Sequence, residues 1–196
     1  MTETVSHLRN IWVLWYHDGQ SDWTLDSYQK VTEFDNVQDF WRLYNNLPSI
    51  SEHYIFLMKK GHRPIWEVPE NADGGAWMFK IPKRNADVYW LNFSLYLIGE
   101  TIANQTDDII GISFAPKRSN ATLKIWNCNN LRCKDQVQLN SQYAEFQYDD
   151  DPEKVPIYKE FREHDVTKKV TINNNNNYRH NNHHNNNNNH NNHHNH

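Results

Sequence analysis

The chain has 196 residues, 20 basic against 24 acidic, for a formal net charge of −4, with 8 tryptophans and 2 cysteines. An acidic balance excludes a protein that coats nucleic acid by neutralising many phosphates, because counterion release of that kind calls for a basic surface. Cys128 and Cys133, close together in one polar segment, give neither a disulfide framework nor structural-zinc spacing, and no apolar run reaches the length of a signal core or a membrane span.

Periodicity predicts two strands followed by a helix, three times over. The first unit has a strand over Ile11 to Tyr16, a polar loop from His17 to Thr24 and a strand from Tyr28 to Phe34, all rich in aromatic and β-branched residues. A helix follows, capped by Asp35 or Asn36. Val37, Phe40, Trp41, Tyr44 and Leu47 recur at helical spacing before Pro48 stops it.

The second unit has a strand from His53 to Met58, a long loop through Gly61, Pro64 and Pro69 to Gly74-Gly75, then a strand from Trp77 to Ile81. Its helix is expected from about Ala86 to Ile102. Val88, Leu91, Leu95 and Ile98 form one apolar stripe, yet Tyr89, Trp90, Phe93, Tyr96 and Leu97 fill most of the remainder. A helix apolar nearly all round must be covered on two sides, by its own sheet and by a partner.

The third unit pairs Ile109 to Phe114 with Leu123 to Trp126 across a loop, Ala115 to Thr122, that holds Lys117 and Arg118. A weaker helix is expected over Leu131 to Phe146 and a closing strand over Val155 to Tyr158. The pattern is α+β, an antiparallel sheet with helices on one face. If each helix is the long connection between hairpins, the three hairpin loops gather at one end of the sheet, bringing Trp23, Trp66 and Lys117 together.

Beyond Ile172 the sequence is almost entirely Asn and His, broken by Tyr178 and Arg179, and seven of the 12 histidines lie there. It has too little apolar surface to offset ordering entropy, so residues 173–196 are expected to form a disordered tail behind one domain, residues 1–172. Without the tail the body carries 19 basic against 24 acidic residues.

Trp23, Trp66 and Trp126 fall in or beside polar connecting segments, whereas Trp12, Trp15, Trp77 and Trp90 read as core. An indole in a loop suits stacking on a planar ligand, above all a positively charged one. Glu67, next to Trp66, adds a fixed acceptor. Stacking beside an acceptor is what recognition of a guanine-like ring needs.

The runs His7 to Tyr16, Phe34 to Asn45, Pro64-Ile65-Trp66-Glu67, Gly74-Gly75 before Trp77, and Trp90-Leu91 leading to Leu97-Ile98-Gly99-Glu100 closely resemble the translation initiation factor 4E family, the messenger-RNA cap-binding proteins. The likeness runs in order from His7 to Trp126, and more loosely to about Lys169. It implies a curved antiparallel sheet of about seven or eight strands backed by three helices on its convex face. It also implies 7-methylguanosine-capped messenger RNA as ligand, with the base between Trp23 and Trp66, Glu67 and the Trp66 backbone N–H reading the guanine edge, and Trp126 against the methyl group.

Lys117 matches a phosphate-binding position of the family. Ala76, Ser119 and Thr122 stand where relatives carry basic residues, so Arg118 and Lys124 would have to compensate, and a weaker grip on the triphosphate with a shallower salt dependence is expected. A second site, for an amphipathic helix of scaffold initiation factor 4G or of 4E-binding proteins, maps by resemblance to His7, Leu8, Val37, Trp41, Leu91 and Leu95. The usual proline after the first His is missing, and Asn92 replaces an acidic residue.

The resemblance implies a cytoplasmic protein, with a nuclear pool left open, that is neither an enzyme nor dependent on a cofactor, metal or membrane. No nucleophile–base pair or clustered carboxylate site for a hydrolase stands out, Asp149-Asp150-Asp151 reading as a distant loop. Two alternatives stay open: a cap-binding repressor and an aromatic-lined carbohydrate-binding module.

Overall fold

The computed structural model describes residues 4–133 and 157–162. Its elements are β1 (His7–His17), β2 (Gln29–Asn36), α1 (Val37–Tyr44), β3 (Tyr54–Lys59), β4 (Gly75–Pro82), α2 (Ala86–Ile98), β5 (Ile109–Pro116), β6 (Asn120–Asn127), α3 (Asn130–Cys133) and β7 (Ile157–Glu160). The strand–strand–helix order is as expected. Residues 134–146 of the third helix, Asp149 to Asp151, the start of the closing strand at 155–156, the looser likeness to Lys169 and the tail at 173–196 lie outside the described residues.

Helix boundaries follow local chemistry. Asn36 caps α1 by accepting the Asp39 N–H at 2.8 Å, and its amide donates to the Asp39 carboxylate at 2.7 Å. α2 is shorter than expected, stopping at Ile98, because Gly99 ends it and Glu100 turns to a left-handed φ of 54°. The third loop is also shorter than expected. β5 and β6 run on to Pro116 and from Asn120, leaving Lys117, Arg118 and Ser119 as a turn that the Lys117 N–H closes on the Asn120 carbonyl at 2.8 Å.

The sheet order is β2-β1-β3-β5-β6-β4-β7, every neighbouring pair antiparallel. The expectation of three hairpins is therefore corrected. β3 and β4 do not pair, since the β5–β6 hairpin lies between them. His17 sits opposite Tyr54, at the start of β3, while Lys59 at its end sits opposite Trp12. The loop from 60 to 74 thus leaves from the end of the sheet opposite the Trp23 and Lys117 loops, and the three loops do not gather at one end.

Strand alternation sorts the side chains onto two faces. Trp12, Leu14, Ile55, Leu57, Trp77, Leu123 and Ile125 join Phe40 of α1, Trp90, Phe93 and Leu97 of α2 and Cys133 of α3 in the main core. The opposite face carries a smaller cluster of Phe56, Met58, Ala76, Ile110, Trp126 and Phe161, with Trp15, Tyr28, Tyr54 and Trp66 packed against it. Trp12, Trp77 and Trp90 are the expected core tryptophans. Trp15 departs from expectation, because odd positions of β1 point away from the helices.

Gly74 and Gly75 explain their own pairing. A side chain at Gly74 would strike the Asn127 backbone, and one at Gly75 the Tyr158 hydroxyl, so the close approach of β4 to its two neighbours requires both to be bare.

Candidate functional site

His17, the last residue of β1, points to the face opposite the helices, and the polar loop after it folds back to lay Trp23 upon it. The two rings are parallel within 4° at a centroid distance of 3.9 Å. Tyr28 and Tyr54 meet the indole edge-on at 6.0 and 5.1 Å. Trp23 is nevertheless 50% exposed. One face is covered by imidazole, and the exposure belongs to the rest of the ring, a platform ready for a planar ligand.

Trp66 reaches this face although its loop starts at the far end of the sheet. The loop is scaffolded by Asn71, which has no exposed surface. Its amide nitrogen donates to the Arg63 and Ile65 carbonyls at 2.7 Å each, and its oxygen accepts from His62 Nδ1 at 3.0 Å. Arg63 Nε adds a 2.8 Å ion pair to Glu70. Held this way, Trp66 rests half-buried against the Phe56, Met58 and Trp126 cluster. Glu67 is exposed next to it. Burial first, and then the charge of Glu67, raises the Tyr28 phenol above its ordinary range.

Trp126 stands at the penultimate position of β6, beside the segment that leads to α3. It is 3% exposed, donates Nε1–H to Ser113 Oγ at 2.9 Å and packs on Phe161 at 4.9 Å. Lys117 and Arg118 are exposed in the β5–β6 turn. Lys124, two residues before Trp126 and so on the same face, is half-buried, and its ammonium is pushed down first by burial and then by the charges of Lys117 and Lys159. Lys159 was not foreseen. It lies in β7 directly opposite Ala76, itself opposite Trp126 in β6, so a cation returns to the row that Ala76 leaves neutral.

On the helix side, Trp41 is 38% and Val88 61% exposed, while Val37, Leu91 and Leu95 are half-buried. Tyr89, Trp90, Phe93 and Leu97 are buried, while Val88, Leu91 and Leu95 leave apolar side chains on the outer surface of α2. Leu8 packs against the main core and His7 is exposed 3.8 Å from Asp35. The segment before β1 is tied to α1, with the Val37 N–H donating to the Ser6 carbonyl at 2.9 Å and the Gln38 side chain bonding Ser6 and Thr4. A cleft of about 170 Å³ opens between the helices, lined by Tyr44, Leu47, Pro48, Ile50, Asp87 and Trp90.

Among the described residues no group of His, Cys, Asp and Glu is arranged to hold a metal. Cys133 is buried beside Asp108, and burial followed by that charge pushes its thiol to about 12. No described helix is long and apolar enough to cross a membrane.

A family profile described as Eukaryotic initiation factor 4E matches residues 7–195. The chain belongs to the eukaryotic initiation factor 4E family. Factor 4E-1B of Danio rerio is 34% identical over 147 residues, covering 70% of this chain and 69% of that protein. The Drosophila melanogaster factor 4E1 is 36% identical over 131 residues, with 62% and 50% covered, and the human factor 4E 32% over 136, with 63% and 62% covered. The chain thus spans half to about two thirds of the length of these curated relatives. Among solved initiation factor 4E structures, Caenorhabditis elegans eIF4E-3 in complex with the 4E-binding protein Mextli and a cap analog superposes with a TM-score of 0.73 at 26% identity, covering 83% of this chain and 96% of the other. Ascaris suum eIF4E-3 in complex with the m2,2,7G cap gives 0.67 at 28%, covering 80% and 92%. The factor 4E fold, a curved seven-stranded antiparallel sheet with helices on one side, is the one found here.

Proposed function

We propose that this chain binds the 7-methylguanosine cap of messenger RNA on the face opposite its helices, the methylated base lying between Trp23 and Trp66. The observation that carries this reading is the stacked, half-exposed Trp23 on the same face as Trp66, with the exposed Glu67 next to Trp66 in the chain. Methylation at N7 makes the purine a cation, which an indole face attracts by ~0.5–2 kcal/mol beyond ordinary stacking. Glu67 accepts from N1 and N2 of guanine, charge-assisted bonds worth roughly 1.5–3 kcal/mol each that reject adenine, and the Trp66 N–H donates to O6. Trp126 backs the methyl group. Lys117, Arg118 and Lys124 hold the phosphates, and Lys159 joins them in place of the missing cation at Ala76.

The helix side receives an amphipathic helix of a scaffold factor or a 4E-binding protein on Trp41, Val37, Leu91 and Leu95, with His7 and Leu8 at its edge. The exposed Trp41 and Val88 support this second site. With both sites working the protein starts cap-dependent translation; a chain that holds the cap and fails to recruit the scaffold represses it.

Tryptophan fluorescence titrated with 7-methyl-GTP and with GTP tests the reading. A strong preference for the methylated nucleotide, lost in Trp66→Ala by roughly 1–3 kcal/mol, is expected. Equal response to both, or none, removes the cap and leaves carbohydrate as the ligand class to try.

A further inference from the structure

His17 is a histidine where a plain aromatic ring would suffice for stacking. Its side chain has no exposed surface, and besides Trp23 it meets Tyr28 at 5.0 Å and Tyr54 at 6.4 Å, both edge-on. What imidazole adds is a pair of hydrogen bonds in the plane of the ring. The Gly19 N–H donates to Nδ1 at 2.8 Å. Nε2 lies 2.9 Å from Ser27 Oγ, and that hydroxyl donates its proton to the Thr24 carbonyl at 2.7 Å.

These bonds decide the tautomer. Nδ1 must carry a lone pair to receive the Gly19 N–H. Ser27 has already given its proton to Thr24, so its oxygen receives one from Nε2. The relay from Gly19 through the ring to Ser27 and Thr24 is continuous only for a neutral imidazole protonated at Nε2. It also ties the loop on both sides of Trp23. Gly19 contributes a left-handed φ of 74°, and any side chain there would run into the Tyr54 ring.

We propose that His17 is the rear platform and positioning residue of Trp23, locked as the neutral Nε2–H tautomer, and that protonating it releases Trp23 from its ligand-binding pose. The proposal rests on the reading of Trp23 as a cap platform. An imidazolium sets an N–H against the Gly19 N–H, so that bond is lost. The ionisable groups facing the ring are Asp18 in the loop, Tyr28 before β2 and Tyr54 of β3, with Glu67 beyond Tyr28. Asp18 Oδ1 lies 3.6 Å from Nδ1, and the Ser21 hydroxyl and amide and the Gln20 amide hold that carboxyl down to about 2. The new Nδ1–H has this anion to turn to, and Gly19 lets go. The second effect is electronic. A charge behind the indole draws π density from the face presented to the methylated base, and two cations then share one ring.

Two measurements on the full chain test this. Histidine ring 15N–1H spectra of the free protein, with the His17 signal identified by its loss in His17→Phe, should show Nε2 protonated and Nδ1 bare near neutral pH; an Nδ1–H tautomer overturns the proposal. Fluorescence titration with 7-methyl-GTP at falling pH, over the range in which circular dichroism shows both proteins folded, should then lose affinity roughly tenfold more in the wild type than in His17→Phe, whose flat ring keeps the stack and has no ionisable nitrogen. Parallel pH profiles for the two proteins overturn it. A wild type with the expected tautomer that binds no 7-methyl-GTP at neutral pH sinks the cap reading and leaves the His17–Trp23 platform standing.

Discussion

Asn71→Ala is the perturbation that most directly separates the scaffold of the candidate site from the residues that touch ligand. Asn71 is no expected ligand residue itself, yet Trp66 and Glu67 lie inside the segment it holds. Alanine removes three hydrogen bonds, of 2.7, 2.7 and 3.0 Å, and strands the Ile65 carbonyl, while the Arg63 carbonyl keeps the Ile65 N–H at 2.8 Å. A made bond contributes ~1 kcal/mol net, so the three together set the loss at about 3 kcal/mol or somewhat more once the stranded Ile65 acceptor is included. Urea denaturation reads that number. Binding should suffer separately, because a loosened loop must be ordered again when the base enters, and affinity for 7-methyl-GTP should fall roughly tenfold to a hundredfold. Asn71→Asp has the same shape but sets an oxygen against two carbonyl oxygens, and should be no better than alanine. A variant within about 0.5 kcal/mol of the parent in stability that binds 7-methyl-GTP as tightly would refute the argument that this amide positions Trp66.

Lys159→Ala should weaken binding of 7-methyl-GTP by about 1 kcal/mol, the scale of one exposed ammonium near a phosphate, and leave 7-methylguanosine unchanged; a loss shared by both ligands would mean a structural role. It should also flatten the dependence of affinity on salt, whereas with Lys159 intact that dependence should be steeper than Ala76, Ser119 and Thr122 alone suggest. Trp41→Ala should cost roughly 2 kcal/mol or more in binding a scaffold-derived helix and nothing in cap affinity. Phe161, 4% exposed and donating its N–H to the Gly74 carbonyl at 3.0 Å, supports Trp126, so Phe161→Ala should destabilise by ~3–5 kcal/mol and lower cap affinity, both measured on one preparation. The Asp18 carboxyl sits at about 2 in the folded chain against an ordinary 3.8, so its hydrogen bonds to Ser21 and Gln20 contribute fully above about pH 4 and are lost as pH falls toward 2; carboxyl 13C shifts should follow that course, and Asp18→Asn should remove it.

Much of the fold was readable because its signals are local. Helical spacing and an Asn cap fixed α1, and Gly74-Gly75 marked the crowded start of β4. What sequence could not supply was strand pairing between distant segments. Nothing within Tyr54 to Ile81 says that β5 and β6 insert between β3 and β4, and so the Trp66 loop was expected at the wrong end. Lys159 escaped for the same reason, since its value lies in being opposite Ala76. His17 is legible in principle, since alternation from Val13 through Trp15 puts it on the face of Trp23, but the polar residues that follow make it read as the start of a loop. Asn71 carried no signal at all, being one polar residue in a polar loop.

The division into two faces has a consequence for how the two sites can communicate. Side chains that support the helices and those that support Trp23 and Trp66 alternate along the same strands and do not mix, so most of the sheet offers no continuous chain of packed groups from one site to the other. β1 is the exception in covalent terms. It begins with His7 and Leu8 beside α1 and ends with His17 beneath Trp23, about 33 Å along one strand. Its pairing with β2 is interrupted twice, between His7 and Trp12 and between Leu14 and Trp15, whereas its pairing with β3 is unbroken from Trp12 to His17. A helix that pulls on His7 and Leu8 therefore meets a compliant edge first and a rigid ladder behind it. Any coupling between partner and cap should be small and, because linkage is reciprocal, of equal size in both directions; measuring cap affinity with and without a bound helix, and helix affinity with and without cap, should return the same factor.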